Sequence, residues 1–127
     1  MDPNANCLNW FEIPVEDIDR AKQFYEKIFA VQMSEDTVMG MQMVFFPSAH
    51  GNGKVGGALV KSDLHKSNTE GVLVYLNANP DLSDILQRIE EEGGVVLLYK
   101  TKLPREAGFM AMFLDTEGNR IALHSYN

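Results

Sequence analysis

The 127-residue chain is poor in cysteine and in clustered positive charge. Its one cysteine, Cys7, has no second cysteine to pair with, and no cysteine–histidine spacing typical of a zinc site is present. Lysine and arginine number 11 against 18 acidic residues, which gives a net charge of −7. A nucleic-acid-binding surface and a basic membrane-facing helix both need concentrated positive charge, so the sequence predicts neither nucleic-acid nor membrane partners.

Long apolar runs and several common functional motifs are missing as well. No apolar run approaches the roughly 20 residues that a membrane-spanning helix needs. The segment Met1–Asn4 lacks the charged stretch and apolar run of a signal peptide, so the sequence predicts a cytoplasmic protein. No helix pattern follows the glycines that would form a phosphate loop, and no serine has the context of a nucleophile elbow.

Internal repetition is the feature that organises the chain. Glu12–Ala21 leads into a helical pattern, and Tyr75–Asp84 leads into a second one. Later, Gly40–Asn52 is echoed by Gly108–Asn119. A chain that folds one unit twice has a pseudo-twofold axis, and its two units must stack to bury a shared core. A cleft on that axis is the expected place for a ligand.

The apolar periodicity assigns the same elements to each half. Leu8–Val15 alternates as a strand does, and Asp17 can cap the helix that follows. The second helix is expected to start at Asn79–Pro80, with the proline in its first turn. Three strands follow each helix, so each half reads βαβββ. The prediction is a single α+β domain, residues 1–127, with one module at about 7–61 and the other at about 70–127.

Two stretches, Trp10–Tyr25 and Phe113–His124, make the chain resemble the vicinal-oxygen-chelate superfamily. That superfamily holds glyoxalase I, extradiol dioxygenases and bleomycin-resistance proteins. The resemblance covers nearly the whole chain. It implies two βαβββ modules whose curled mixed sheets enclose a cavity, with the helices packed outside, and it implies a homodimer.

The resemblance also implies four metal ligands, each His, Glu or Gln, on the first and last strands of each half. The aligned positions in this chain are Trp10, Ala58, Leu73 and Ala122. None of these side chains can bind a divalent cation, and metal catalysis needs several N or O donors in fixed geometry. We therefore expect no cofactor. The alternative, a displaced metal site with Glu12 and His124 as two ligands, is disfavoured because two strong donors and a tyrosine are too few.

Polar side chains lie two residues further along the strand than three of these positions, and therefore on the same face of the sheet. Glu12, Tyr75 and His124 should face the cavity, with Trp10 beside them as a stacking surface. Glu12 and His124 form either a catalytic acid–base pair or a structural hydrogen bond between the halves. Arg120 either holds an anionic group of a ligand or lies in solvent.

The facing of the methionines is left open, because their strands are apolar on both sides. Met41, Met43, Met110 and Met112 either line an adaptable pocket or fill the core. Histidines 50 and 65 are expected to be exposed and inert.

Two functions follow from these features. The first is a small-molecule-binding protein of the bleomycin-resistance type, which works without the usual metal and holds its ligand with Trp10, Glu12, Tyr75, His124 and Arg120. The alternative is a glyoxalase-like lyase or isomerase, either metal-dependent or using Glu12 and His124 for proton transfer. A dioxygenase is less favoured, because its chemistry depends on the metal.

Overall fold

The computed structural model describes residues 1–49 and 51–127, and it confirms the α+β prediction of two βαβββ modules. His50 lies outside the described residues. The first module consists of β1 (Trp10–Pro14), α1 (Ile18–Phe29), β2 (Ser34–Val38), β3 (Met41–Phe45) and β4 (Gly56–Lys61). The second consists of β5 (Tyr75–Asn77), α2 (Ser83–Glu91), β6 (Val95–Lys102), β7 (Phe109–Leu114) and β8 (Arg120–Ser125). Neither helix within the described ranges is long and apolar enough to cross a membrane.

Each module contains one four-stranded mixed sheet with the same topology. The strand order is β1-β4-β3-β2 in the first sheet and β5-β8-β7-β6 in the second. The outer strand β1 runs parallel to β4, as β5 runs parallel to β8, and the remaining pairs are antiparallel. Neither sheet closes on itself. Gly57 allows the β1–β4 pairing, since a Cβ there would lie 2.4 Å from the ring of Phe11.

Helix α1 forms as its sequence predicts. The Asp17 side chain accepts a hydrogen bond from the backbone N–H of Arg20 at 3.0 Å, which confirms it as the N-cap. The helix ends where Ala30 takes a left-handed conformation with φ of 54°. Its buried face consists of Ala21, Phe24, Tyr25 and Ile28.

Helix α2 starts later than predicted. The expected start at Asn79–Pro80 is wrong, because the helix begins at Ser83 and Leu82 provides no side-chain cap. The local hydrogen bonds explain the delay. Asp81 accepts a bond from the backbone N–H of Ser83 at 2.9 Å and another from Lys100 at 2.9 Å, so Asp81 belongs to the turn. The bond from Ser83 is the largest cause of the lowered pKa of Asp81, about 2.

One hydrophobic core joins the two modules. It contains the inner residues of both helices and of both sheets, and the rings of Phe24 and Phe113 meet across it with centroids 6.0 Å apart. The opposite face of the first sheet carries a smaller cluster built on Met43, Ala58 and Val60. The first sheet therefore has one face on the main core and the helices and another face away from them.

The structure decides the facing of the methionines. Met41 and Met43 belong to the smaller cluster of the first sheet. In β7, Ala111 and Phe113 lie in the main core, so alternation places Met110 and Met112 on the opposite face of the second sheet. All four are thus on the faces that point away from the helices.

Candidate functional site

A cleft of about 1080 Å³ lies between the edge strands β1 and β5. It is lined by residues of both modules, so it depends on how the two units stack. Most of its wall is apolar or aromatic, as is typical of small-molecule sites. The lining includes Leu8, Trp10, Phe46, Val55, Val72 and Tyr75.

A hairpin of the second module, residues 115–119, fixes one end of this cleft. Asn119 donates from Nδ2 to the backbone carbonyl of Pro14 at 2.7 Å and accepts from the backbone N–H of Asn68 at 3.1 Å. Asp115 in turn accepts from the backbone N–H of Asn119 at 2.9 Å. These bonds tie the start of β8 to the end of β1, and they set the position of Arg120, the next residue.

Glu117 in the same hairpin binds the N-terminus of α1. Its fully buried carboxylate accepts from the backbone N–H groups of Glu16 and Asp17 at 2.9 and 2.7 Å. Arg20 donates two more bonds to it, at 2.7 and 3.0 Å, and the Thr116 hydroxyl donates a fifth at 2.8 Å. Burial by itself raises the pKa of the Glu117 carboxyl, but the hydrogen bonds from Arg20, Asp17, Thr116 and Glu16 outweigh it, and the pKa is lowered.

Tyr25 joins the hairpin to the core from the other side. Its hydroxyl donates to Asp115 Oδ2 at 2.7 Å, and its side chain is wholly buried. Burial, and then the negative charge of Asp115, raise the pKa of this phenol well above its usual value. The hairpin is therefore held by buried bonds from both modules.

Glu12 stands in the cleft wall with two hydrogen-bond donors. The indole N–H of its neighbour Trp10 donates to Oε2 at 3.2 Å, and His65 Nε2 lies 2.8 Å from Oε1. Ser62 Oγ lies 2.6 Å from the other ring nitrogen of His65 and accepts from the backbone N–H of Leu64. This pattern fits a serine hydroxyl that donates to Nδ1 and an Nε2–H that donates to Glu12, a tautomer assigned from the partners.

His65 was expected to be exposed and inert, and the first half of that expectation is wrong. Its side chain is 17% exposed, because it reaches from the connecting segment to Glu12. The Ser62–His65 spacing in a polar connection carried no sign of this contact, since Glu12 lies 53 residues away in the chain.

The structure separates Glu12 from His124. His124 Nε2 bonds to the backbone carbonyl of Ala107 at 2.6 Å, its ring packs edge-on against Tyr126, and it does not line the cleft. Trp10, Glu12, Tyr75 and Arg120 all do. Four of the five predicted ligand-binding residues thus share one cleft, and the histidine bonded to Glu12 is His65. The roles assigned to these residues stay predictions.

The residues at the four aligned ligand positions do not fit a metal ion. Ala58 lies opposite Glu12 in the β1–β4 register, and Ala122 lies opposite Tyr75 in the β5–β8 register. Trp10 and Leu73 line the cleft without a metal-binding atom. Among residues 1–49 and 51–127, no group of three or more His, Cys, Asp or Glu side chains could hold a metal.

The sequence matches a known family model over residues 7–123. The chain belongs to the Glyoxalase/Bleomycin resistance protein/Dioxygenase superfamily. This confirms the resemblance drawn from the two motif stretches. No curated protein matches the sequence.

Solved structures with the same superfamily fold share little sequence with the chain. A glyoxalase I mutant from Zea mays has a TM-score of 0.68 at 16% identity, covering 94% of this chain and 46% of that chain. A glyoxalase/bleomycin resistance protein from Albidiferax ferrireducens T118 also has 0.68, at 12% identity, covering 94% and 98%. TnmS3, an antibiotic binding protein from Streptomyces sp. CB03234, has 0.63 at 21% identity, covering 98% of both chains. The chain spans about half the length of the maize enzyme.

Proposed function

We propose that this superfamily member binds a small, partly apolar molecule in the cleft between its modules. The observation that carries the proposal is the cleft itself, with its volume of about 1080 Å³ and its aromatic and aliphatic walls. Pockets for drug-sized ligands have volumes of about 300–1,000 Å³ and are mainly apolar, with a few polar groups that orient the ligand. Glu12, Tyr75 and Arg120 provide such groups here.

Affinity would come mainly from apolar burial in this cleft. Several of its side chains are unusually exposed for their type, among them Trp10 at 42% and Tyr75 at 51%. Burying apolar surface contributes about 25 cal/mol per Å², so covering even a hundred or so Å² of such surface gives about 2–3 kcal/mol. TnmS3, a protein of similar fold, is an antibiotic binding protein, which also supports a binding function.

Trp10 provides the assay, because it is the sole tryptophan and lines the cleft. We expect the neutral fluorophore phenylnaphthylamine to quench Trp10 emission saturably. Leu8 and Leu97 form a matched pair, since they are 50% and 47% exposed and only Leu8 lines the cleft. Leu8→Ser should weaken binding by about fivefold, from about 1 kcal/mol of lost apolar contact, while Leu97→Ser should not. Equal effects of the two variants, or no saturable quenching, would refute binding in this cleft.

We also propose that binding needs no metal. The side chains at the four aligned ligand positions support this proposal. They are an indole, an isobutyl group and two methyl groups, and none of them can bind a divalent cation. Protein purified without chelator should contain well under one equivalent of zinc, nickel, manganese or iron by plasma mass spectrometry. A content near one per chain, removable by chelator together with ligand affinity, would contradict the proposal.

A second candidate is a lyase or isomerase in which Glu12 moves a proton. The hydrogen-bonded series Glu12, His65 and Ser62 favours it, because a carboxylate next to an imidazole can exchange protons with a bound substrate. A carbonyl compound that binds the cleft should then lose its α-hydrogen NMR signal in D₂O. Glu12→Gln should abolish this exchange and keep binding. His124→Ala is the second variant, because the sequence predicted proton transfer for His124 as well. No exchange with any bound carbonyl compound would refute this function.

We further propose that the protein forms a homodimer in the cytoplasm. The open edges of both sheets support the pairing, because unpaired strand edges invite association. Light scattering after size exclusion should give twice the mass of the chain, 14.2 kDa. A mass of one chain at micromolar concentration would refute the dimer.

A further inference from the structure

Among the residues that the structure describes, Arg120 in the cleft has no hydrogen-bond or ion-pair partner for its side chain. Its Nε atom is buried and has no hydrogen-bond acceptor among the described residues. Nor does any described carboxylate lie within ion-pair distance of its guanidinium, whereas Arg20 binds Glu117. A buried polar group without a partner costs free energy, so a native structure that keeps one calls for an explanation.

The charge of the cleft is opposite to that of the whole chain. The net charge of the protein is −7, but the charged side chains that line the cleft are Lys66, Arg120 and Glu12. The Glu12 carboxylate accepts hydrogen bonds from Trp10 and His65. Two cations against this one carboxylate leave the lining of the cleft with a net charge of +1.

The position of Arg120 is set by the fold. It follows Asn119, whose bonds to Pro14 and Asn68 tie β8 to β1, and its neighbour across the sheet is Leu114. Its planar guanidinium can form two parallel hydrogen bonds to an anion. The aromatic rings of Trp10 and Tyr75 line the same cleft.

We propose that the ligand of this cleft is an amphipathic organic anion, with an aromatic or aliphatic body against the apolar walls and its anionic oxygens on Arg120. This inference rests on the proposed binding function and names the ligand's chemical class. The anionic group is a carboxylate, sulfonate or phosphate, since each offers two oxygens to the guanidinium fork. It gives the guanidinium the acceptor oxygens that no described residue provides.

Two fluorophores that differ by one sulfonate test this directly: anilinonaphthalene sulfonate and neutral phenylnaphthylamine, each titrated against Trp10 emission. A bidentate charge-assisted contact should make the sulfonate bind about ten- to a hundredfold more tightly. Arg120→Gln should remove this preference, so that the two compounds bind with affinities within about twofold of each other. Arg105→Gln, which removes the same charge from an exposed residue outside the cleft, is the control and should retain the preference.

Arg120→Lys is the second variant, so that a folding failure of the glutamine variant still leaves a comparison. It keeps the charge but not the fork, and it should retain only part of the preference. The inference is overturned if wild-type protein binds both compounds equally, or if Arg120→Lys or Arg120→Gln keeps the full preference. Binding of the neutral compound alone would defeat this inference and keep the proposed function, whereas binding of neither would defeat both.

Discussion

Glu117→Gln is the sharpest test of how the hairpin holds the two modules together. The carboxylate is fully buried and accepts five hydrogen bonds, from Glu16, Asp17, Arg20 (two) and Thr116. Glutamine keeps the shape and one oxygen, so it can still accept from both backbone N–H groups. Its NH₂ group, however, would point at the Arg20 Nε–H and leave that donor without an acceptor.

The expected loss follows from these contacts. A hydrogen bond to a charged group contributes about 1.5–3 kcal/mol, and breaking a buried ion pair costs about 3–5 kcal/mol. The Arg20 side chain is 51% exposed, so water replaces part of what it loses and the upper range does not apply. We expect Glu117→Gln to lower the free energy of unfolding by about 2–3 kcal/mol at neutral pH.

Urea denaturation over a range of pH measures both the size and the origin of this loss. The pKa of Glu117 is lower in the folded protein, so its contribution is present above the unfolded pKa and is lost as pH falls through the folded pKa. The gap between wild type and Glu117→Gln should therefore shrink in acid. Glu70→Gln removes an exposed carboxylate and is the control, with little effect expected. A gap below about 0.5 kcal/mol, or one that stays constant as the pH is lowered, would refute the reasoning.

Two further variants probe the core around the same hairpin. Tyr25→Phe removes the buried hydroxyl bonded to Asp115 and should cost about 1.5–3 kcal/mol in urea. Because the pKa of Tyr25 is raised in the folded protein, the contribution of its hydroxyl to the free energy of unfolding is complete below the unfolded pKa and is lost as pH rises. The wild type should therefore lose stability in alkali more steeply than Tyr25→Phe does. Parallel alkaline stability curves for the two proteins would contradict this. Phe113→Ala, at a fully buried ring, should cost about 3–5 kcal/mol, and a loss under 1 kcal/mol would mean that the shared core is not packed as described.

The fold could be predicted because its signals are local or repeated. Alternation and the Asp17 cap define β1 and α1, and the repeat shows the same order of elements in the second half of the sequence. The start of α2 was predicted too early because side-chain hydrogen bonds hold a turn just before the helix. Asp81 uses its side chain to hold a turn, and a proline compatible with a first helical turn can also stand in the loop before it.

The cleft could be predicted only in part, because its contacts are long-range. Strand alternation places Trp10 and Glu12 on one face, and Arg120 follows a recognisable hairpin. Which histidine reaches Glu12 depends on the path of the connecting segment, and no periodicity encodes that path. The residues that tie the hairpin to β1 likewise gain their partners from the other half of the chain, as Asn119 does from Pro14.

The bond between Glu117 and the first helix has a consequence for the independence of the two halves. Each half carries the full set of strands and a helix, yet the carboxylate that completes the start of α1 comes from the other half, as does the Phe113 ring that packs on Phe24. The first half therefore depends on the second for both its helix start and its core. A gene cut at the polar connection should yield two fragments that stay unfolded apart and acquire structure only when mixed.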